Sequence, residues 1–111
     1  MKTFTDEEMG TLLSGAKPYS VVILKRGPNY ADDTTPSIVW EHGRRNFALR
    51  DDGVLAVVLR VTDESDVCGV GVFAATVEAT TAIVDGDPGV AAGTFTYEVH
   101  PCIGFPGDSL P

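Results

Sequence analysis

Val54-Leu55-Ala56-Val57-Val58-Leu59-Arg60-Val61, Thr62-Asp63-Glu64-Ser65-Asp66, Val67-Cys68-Gly69-Val70-Gly71-Val72-Phe73: this stretch decides the fold. Two apolar runs rich in valine flank five residues of turn chemistry, so the stretch reads as two strands with a polar connection. A link that short joins antiparallel neighbours. Outward on each side come a helix and then a further strand.

Upstream, Thr35-Pro36 opens a helix running through Ile38-Val39-Trp40-Glu41-His42-Gly43-Arg44-Arg45-Asn46-Phe47-Ala48-Leu49. Thr35 is the expected N-cap and Pro36 takes the first helical position, where its missing N–H costs nothing. Val39, Trp40, Gly43 and Phe47 form the expected buried stripe. Arg44, Arg45 and Arg50 lie toward the negative end of the helix dipole, and Gly53 is the expected stop. Before this helix, Tyr19 to Lys25 is a strand, apolar at nearly every position. Arg26 to Asp33 is its loop.

Downstream, Thr76 caps a helix over Val77 to Val84, which Asp85-Gly86-Asp87-Pro88-Gly89 ends. Thr94 to His100 is the last strand, with clean alternation. Pro101 to Pro111, rich in Pro and Gly, reads as loop. At the front, Thr5 and Glu8 have the spacing of a capping box, and Met9, Leu12 and Leu13 follow at helical spacing. That short helix needs docking to persist. The chain thus divides into an N-terminal helical extension, 1–17, and a βαββαβ domain with a C-terminal tail, 18–111. The fold class is α+β, ferredoxin-like, with an antiparallel sheet and both helices on one face.

The totals set bounds on function. One hundred and eleven residues make one domain, and 43% hydrophobic with 22% charged residues suits a packed core. A net charge of −8 argues against nucleic acid and anionic membranes as partners. The first eight residues hold no apolar signal-like core, and Cys68 and Cys102 form no C-x-x-C pair, so free thiols in the cytoplasm are the expectation. Ser65 and Ser109 lack a nucleophile-elbow context. The first two strands are apolar on both faces, whereas a strand with a solvated face alternates. Two helices cover one face, so a second copy is expected to cover the other, as a two-fold homodimer.

The chain resembles the YCII-related family of the dimeric α+β barrel superfamily. Four features carry the resemblance: Trp40-Glu41-His42 partway along the first domain helix; the hairpin with Gly69 and Gly71 in its return strand; Asp87-Pro88-Gly89 after the second helix; and Val99-His100-Pro101 closing the last strand. They span residues 18–102. The family's usual Gly-Pro after the second strand is replaced by Val61-Thr62-Asp63, and the Arg26–Thr34 loop is long. The resemblance implies the ferredoxin-like fold, the dimer, and a small pocket where a histidine and an aspartate meet, here His42 and Asp87.

In the residues themselves, His42 can take a proton near pH 7, with Asp87 on a rigid turn to orient it. The plain alternative is a packed histidine and a turn-capping aspartate. Lys25, Arg26, Asn29 and Tyr30 cluster after the first strand, and Arg44 and Arg45 follow His42. Together they suit an anionic or phenolic small molecule, or are ordinary solvated charge. His100 falls on the polar side of its strand, yet remains a candidate pocket group. No metal-ligand spacing occurs, so neither metal nor other cofactor is expected. Two functional readings follow. One is a cofactor-free enzyme in which the His42–Asp87 pair drives elimination or isomerisation of a small cyclic or aromatic metabolite. The other is a non-catalytic small-molecule-binding or accessory dimer.

Overall fold

A computed structural model describes residues 1–111. The elements are α1 (Asp6–Leu13), β1 (Lys17–Arg26), α2 (Thr35–Asp51), β2 (Leu55–Arg60), β3 (Val67–Phe73), α3 (Val77–Asp85), α4 (Pro88–Ala91) and β4 (Phe95–Gly104). Every strand pair is antiparallel, in the sheet order β2-β3-β1-β4. This mixed α+β architecture is compatible with a ferredoxin-like fold. No helix is long and apolar enough to cross a membrane.

The local signals hold at most ends. The Thr5 hydroxyl accepts the Glu8 N–H and the Glu8 carboxylate accepts the Thr5 N–H, both at 3.2 Å. Thr76 accepts the Ala79 N–H at 3.1 Å, and Gly53 turns into the left-handed region at φ 83°. Three expectations are corrected. The N-cap of α2 is Thr34, not Thr35; the Thr35 hydroxyl instead donates to the Tyr30 carbonyl at 2.7 Å. Pro88 to Ala91 is a short helix rather than an open turn, because Asp87 caps it. β4 runs past Pro101 to Gly104, pairing with Lys17–Ser20. A proline survives there because β4 is an edge strand, where a backbone position with no donor leaves no ladder bond unmade.

Register assigns the faces. Ser20, Val22 and Leu24 on β1 lie opposite Phe73, Gly71 and Gly69 on β3, and these look toward the helices. On β2 a bulge between Leu55 and Val57 shifts the parity. Leu55, Val58 and Arg60 therefore share the helix face, opposite Phe73, Gly71 and Gly69, while Val57 and Leu59 turn to the other side. The core is small: Val22, Leu55, Phe73 and Val84, with Leu49, Ile83 and Val99 packed against it. The Tyr97 hydroxyl donates to Asp85, tying α3 to β4.

The expected buried stripe of α2 is not buried. Trp40 is 70% exposed, Phe47 66% and Val39 38%, and no residue of α2 is fully buried. The half-buried positions are Thr35, Ile38, His42, Gly43, Arg45, Asn46 and Leu49, a helical face that keeps only Gly43 of the expected stripe. The cause lies beneath. Gly69 and Gly71 present no side chains to the helix, so α2 stands over a hollow instead of packing down.

The whole chain carries more surface than its size warrants. It exposes 7537 Å², against about 5,900 Å² for a compact monomer of this mass. Its radius of gyration is 16.3 Å, against about 13 Å for a compact domain of this length. α1 accounts for part of this: none of its residues is buried, and Met9, Leu12 and Leu13 lie open. The docking that so short a helix needs is not supplied from within the chain.

Glycine positions separate packing from propensity. A Cβ on Gly27 would sit 2.4 Å from the Gly93 carbonyl oxygen, a backbone atom that cannot swing aside, whereas a Cβ on Gly43 in α2 meets nothing within 4 Å. Gly27→Ala should therefore cost about 2 kcal/mol or more, and Gly43→Ala should add roughly 0.5–1 kcal/mol. Urea unfolding of both variants checks the opposite signs.

Candidate functional site

Asp87 sits where α3 has ended and α4 begins. Its extended backbone (φ −70°, ψ 134°) makes it the N-cap of α4. One carboxylate oxygen, Oδ2, accepts the N–H groups of Gly89 at 2.8 Å and Val90 at 3.3 Å. The other, Oδ1, lies 2.7 Å from Nδ1 of His42 on α2. The carboxylate is almost wholly buried, and the imidazole is 17% exposed. The capping role and the pairing role, alternatives in the sequence, are held together by one side chain with an oxygen for each.

On the far side of the ring, Nε2 of His42 lies 3.1 Å from Nδ2 of Asn46, one helical turn on. The amide donates and Nε2 accepts, so Nδ1 carries the proton and donates it to Asp87. The two neighbours thereby select a single neutral tautomer. The Phe95 ring packs beside the imidazole, centroids 4.9 Å apart. It fits because position 89 is glycine: a Cβ there would lie 2.4 Å from the Phe95 ring.

Burial alone would raise the Asp87 pKa. It is outweighed by the hydrogen bond from His42, the charge of His42 and the N–H groups of Gly89 and Val90, so the carboxyl is held below its ordinary 3.8. At neutral pH it is a carboxylate, suited to orienting an imidazole and stabilising its protonated form.

These groups line a cleft of about 620 Å³ between α2 and the sheet, within the range of small-molecule sites. Gly69 and Gly71 form its floor. At Gly69 the lack of a side chain is enforced, since a Cβ would lie 2.8 Å from the Leu59 carbonyl oxygen. Gly43 and Asn46 line the helix wall, and Leu55, Val58 and Phe73 give the interior its apolar character.

Of the residues singled out in the sequence, His42, Asp87, Arg26, Tyr30 and Arg45 all line this cleft. The Arg26 guanidinium lies over the Tyr30 ring, 5.0 Å from its centroid. Lys25 and His100 are not brought to it. Lys25 pairs with Glu98 at 3.2 Å, and His100, opposite Val21, projects from the face of the sheet away from the helices. Alternation along β1 and β4 separates them from Arg26 and Phe95 by one residue of parity. Arg44 pairs with Glu41 at 3.1 Å on the exposed side of α2. The Asn29 side chain donates to the Ala92 carbonyl at 2.8 Å, pinning the loop to the α4–β4 turn.

Among the cleft residues that were not singled out are Asn46, Phe95 and Arg60. Asn46 had a usable signal, standing four residues after His42 on one helix. Phe95 and Arg60 had none in the chain, since strand register and the β2 bulge bring them in. No three His, Cys, Asp or Glu side chains gather anywhere in the structure to hold a metal ion. Neither a family model nor a curated protein matches this chain.

The depressed Asp87 pKa fixes a sign. The unfolded carboxyl titrates near 3.8 and the folded one lower, so the unfolded state binds more protons between the two values. The stabilisation is complete above 3.8 and drains away as pH falls through the folded value. Asp87→Asn should lower stability at pH 7 by about 2–3 kcal/mol. That gap should narrow steadily in urea titrations carried into acid; a gap independent of pH would refute the coupling.

Proposed function

We propose that this chain is a cofactor-free acid–base enzyme, acting by elimination or isomerisation on a small cyclic or aromatic metabolite. The observation that carries the reading is the Asp87–His42–Asn46 chain, at 2.7 and 3.1 Å, set in the wall of a 620 Å³ cleft. Asp87 holds the proton on Nδ1, which leaves the Nε2 lone pair as the base. A substrate C–H entering the cleft displaces the Asn46 amide and gives its proton to Nε2. The imidazolium so formed is stabilised by Asp87 and returns the proton elsewhere on the substrate, or to the leaving group. Isomerisation shifts a proton and an electron pair within the substrate, and elimination expels a leaving group with the pair of the broken bond, so neither needs an electron acceptor.

A second reading is favoured by the same Asn46 contact. An Nε2 already satisfied by an amide is a resting imidazole, and the cleft would then be a binding site in a non-catalytic module. One measurement separates the two. Proton–deuterium exchange at the acidic carbons of cyclic enones and lactones, followed by NMR in D₂O, should be accelerated by the native chain. His42→Ala should reduce it by at least about a hundredfold. Saturable binding without exchange selects the binding module.

The quaternary and family readings are part of the proposal. The sheet order, the apolar second face and the His–Asp pair support a YCII-like chain, and the two free cysteines suit a reducing cytoplasm. Val21, Ile23, Val57, Leu59, Val70 and Val72 share the face away from the helices, and no element of the chain packs over it. A second copy laid sheet to sheet would cover it. Light scattering at micromolar concentration should return twice the 11.7 kDa chain mass, and Ile23→Lys should halve it. A native monomer would rule out this arrangement.

A further inference from the structure

We propose that the mouth of the cleft binds a carboxylate, so that the ligand is a small organic monoanion with an apolar body. The assignment rests on the cleft being a ligand site and adds the ligand's charge and orientation. The chain has only eight lysines and arginines against sixteen acids. Three of the eight, Arg26, Arg45 and Arg60, line this one cleft. None of the three has a carboxylate within 4 Å, although Lys2, Lys25 and Arg44 all do. Of the five cations with no carboxylate within 4 Å, Arg26, Arg45 and Arg60 line the hollow, and Lys17 and Arg50 do not.

Their settings differ. Arg45 lies against Gly86, at the C-terminal end of α3, where its guanidinium meets the negative end of the helix dipole. Arg60 is free of such a duty, while Arg26 lies over the Tyr30 ring with its charge reaching Asp63 and the Cys68 thiol. Arg26 is the last residue of β1, and Arg60 is the last of β2. Both strands run in one direction, so the two side chains stand at the same end of the sheet. The β2 bulge is what turns Arg60 to the helix face; unbroken alternation from Leu55 would turn Leu59 there instead. A guanidinium presents paired donors that match a carboxylate.

The acids at this end are accounted for. Asp63 also lines the cleft, but its carboxylate accepts from the Ser65 N–H at 3.0 Å and hydroxyl at 2.6 Å. Asp87 is committed to His42 and the α4 cap. Asp63 and a chain charge of −8 oppose a multiply charged phosphate. They leave room for one negative charge, with the apolar body lying over Gly69 and Gly71 and its far end toward His42.

The test uses benzoate and its neutral isostere benzamide as probes, read by amide shifts of Gly69, Gly71 and Asn46 in the full chain. Benzoate should bind at least about tenfold more tightly than benzamide. Arg60→Gln and Arg26→Gln should each remove most of that preference while leaving benzamide affinity unchanged. Thermal melts identify any variant that fails to fold, in which case Arg60→Lys replaces it, with a smaller loss expected. Inorganic phosphate should not displace benzoate. Equal binding of the two probes, indifference to both arginine variants, or displacement by phosphate would each overturn the carboxylate site while leaving the cleft a ligand site. Absence of shifts with either probe would overturn both.

Discussion

A single buried carboxylate couples the parts of this domain that make a site. Asp87 uses one oxygen to start α4 and the other to hold His42, so the end of the α3–α4 segment and the middle of α2 are joined through one residue. A carboxylate buried to this degree would be costly if either set of donors were missing. With both present, the ion is well solvated by the protein and sits below its usual pKa. The same contacts dictate which nitrogen of the imidazole bears the proton. Capping, helix placement and the chemical state of His42 are therefore one event rather than three.

The space beside that pair is created by what is missing. β3 carries glycine at 69 and 71, and at 69 the nearby Leu59 carbonyl permits nothing larger. An α-helix packed on an ordinary strand would interdigitate with its side chains. Over this floor, α2 instead leaves a cleft, and its apolar positions Val39, Trp40 and Phe47 remain open. The domain is left with five buried apolar side chains. That is the pattern expected where packing has yielded to a site.

Such a core also bears on why the chain exposes so much surface. The second face of the sheet and the stripe of α1 are two apolar regions that nothing in the chain covers. A large, contiguous apolar surface on a folded chain marks an interaction site. The sheet face lies opposite the cleft, so covering it would leave the mouth beside Arg26 and Arg60 accessible.

The order of elements apart from α4, the antiparallel sheet, the caps at Thr5 and Thr76 and the stop at Gly53 are all legible in the sequence. Each depends on residues within a turn or a strand of one another, so the chain's own periodicity and capping chemistry suffice. His42 and Asp87 were legible as candidates through their residue types, and the structure brings them together. Which way side chains face is another matter. One extra residue in β2 reverses the parity of Val57 to Arg60, and two glycines on a neighbouring strand rotate the buried side of α2. Lys25 and His100 fall on the far face, Asn46, Phe95 and Arg60 join the cleft, and Pro101 continues a strand because that strand is at the edge. These outcomes are set by contacts between segments far apart in the chain, and only the assembled tertiary structure decides them.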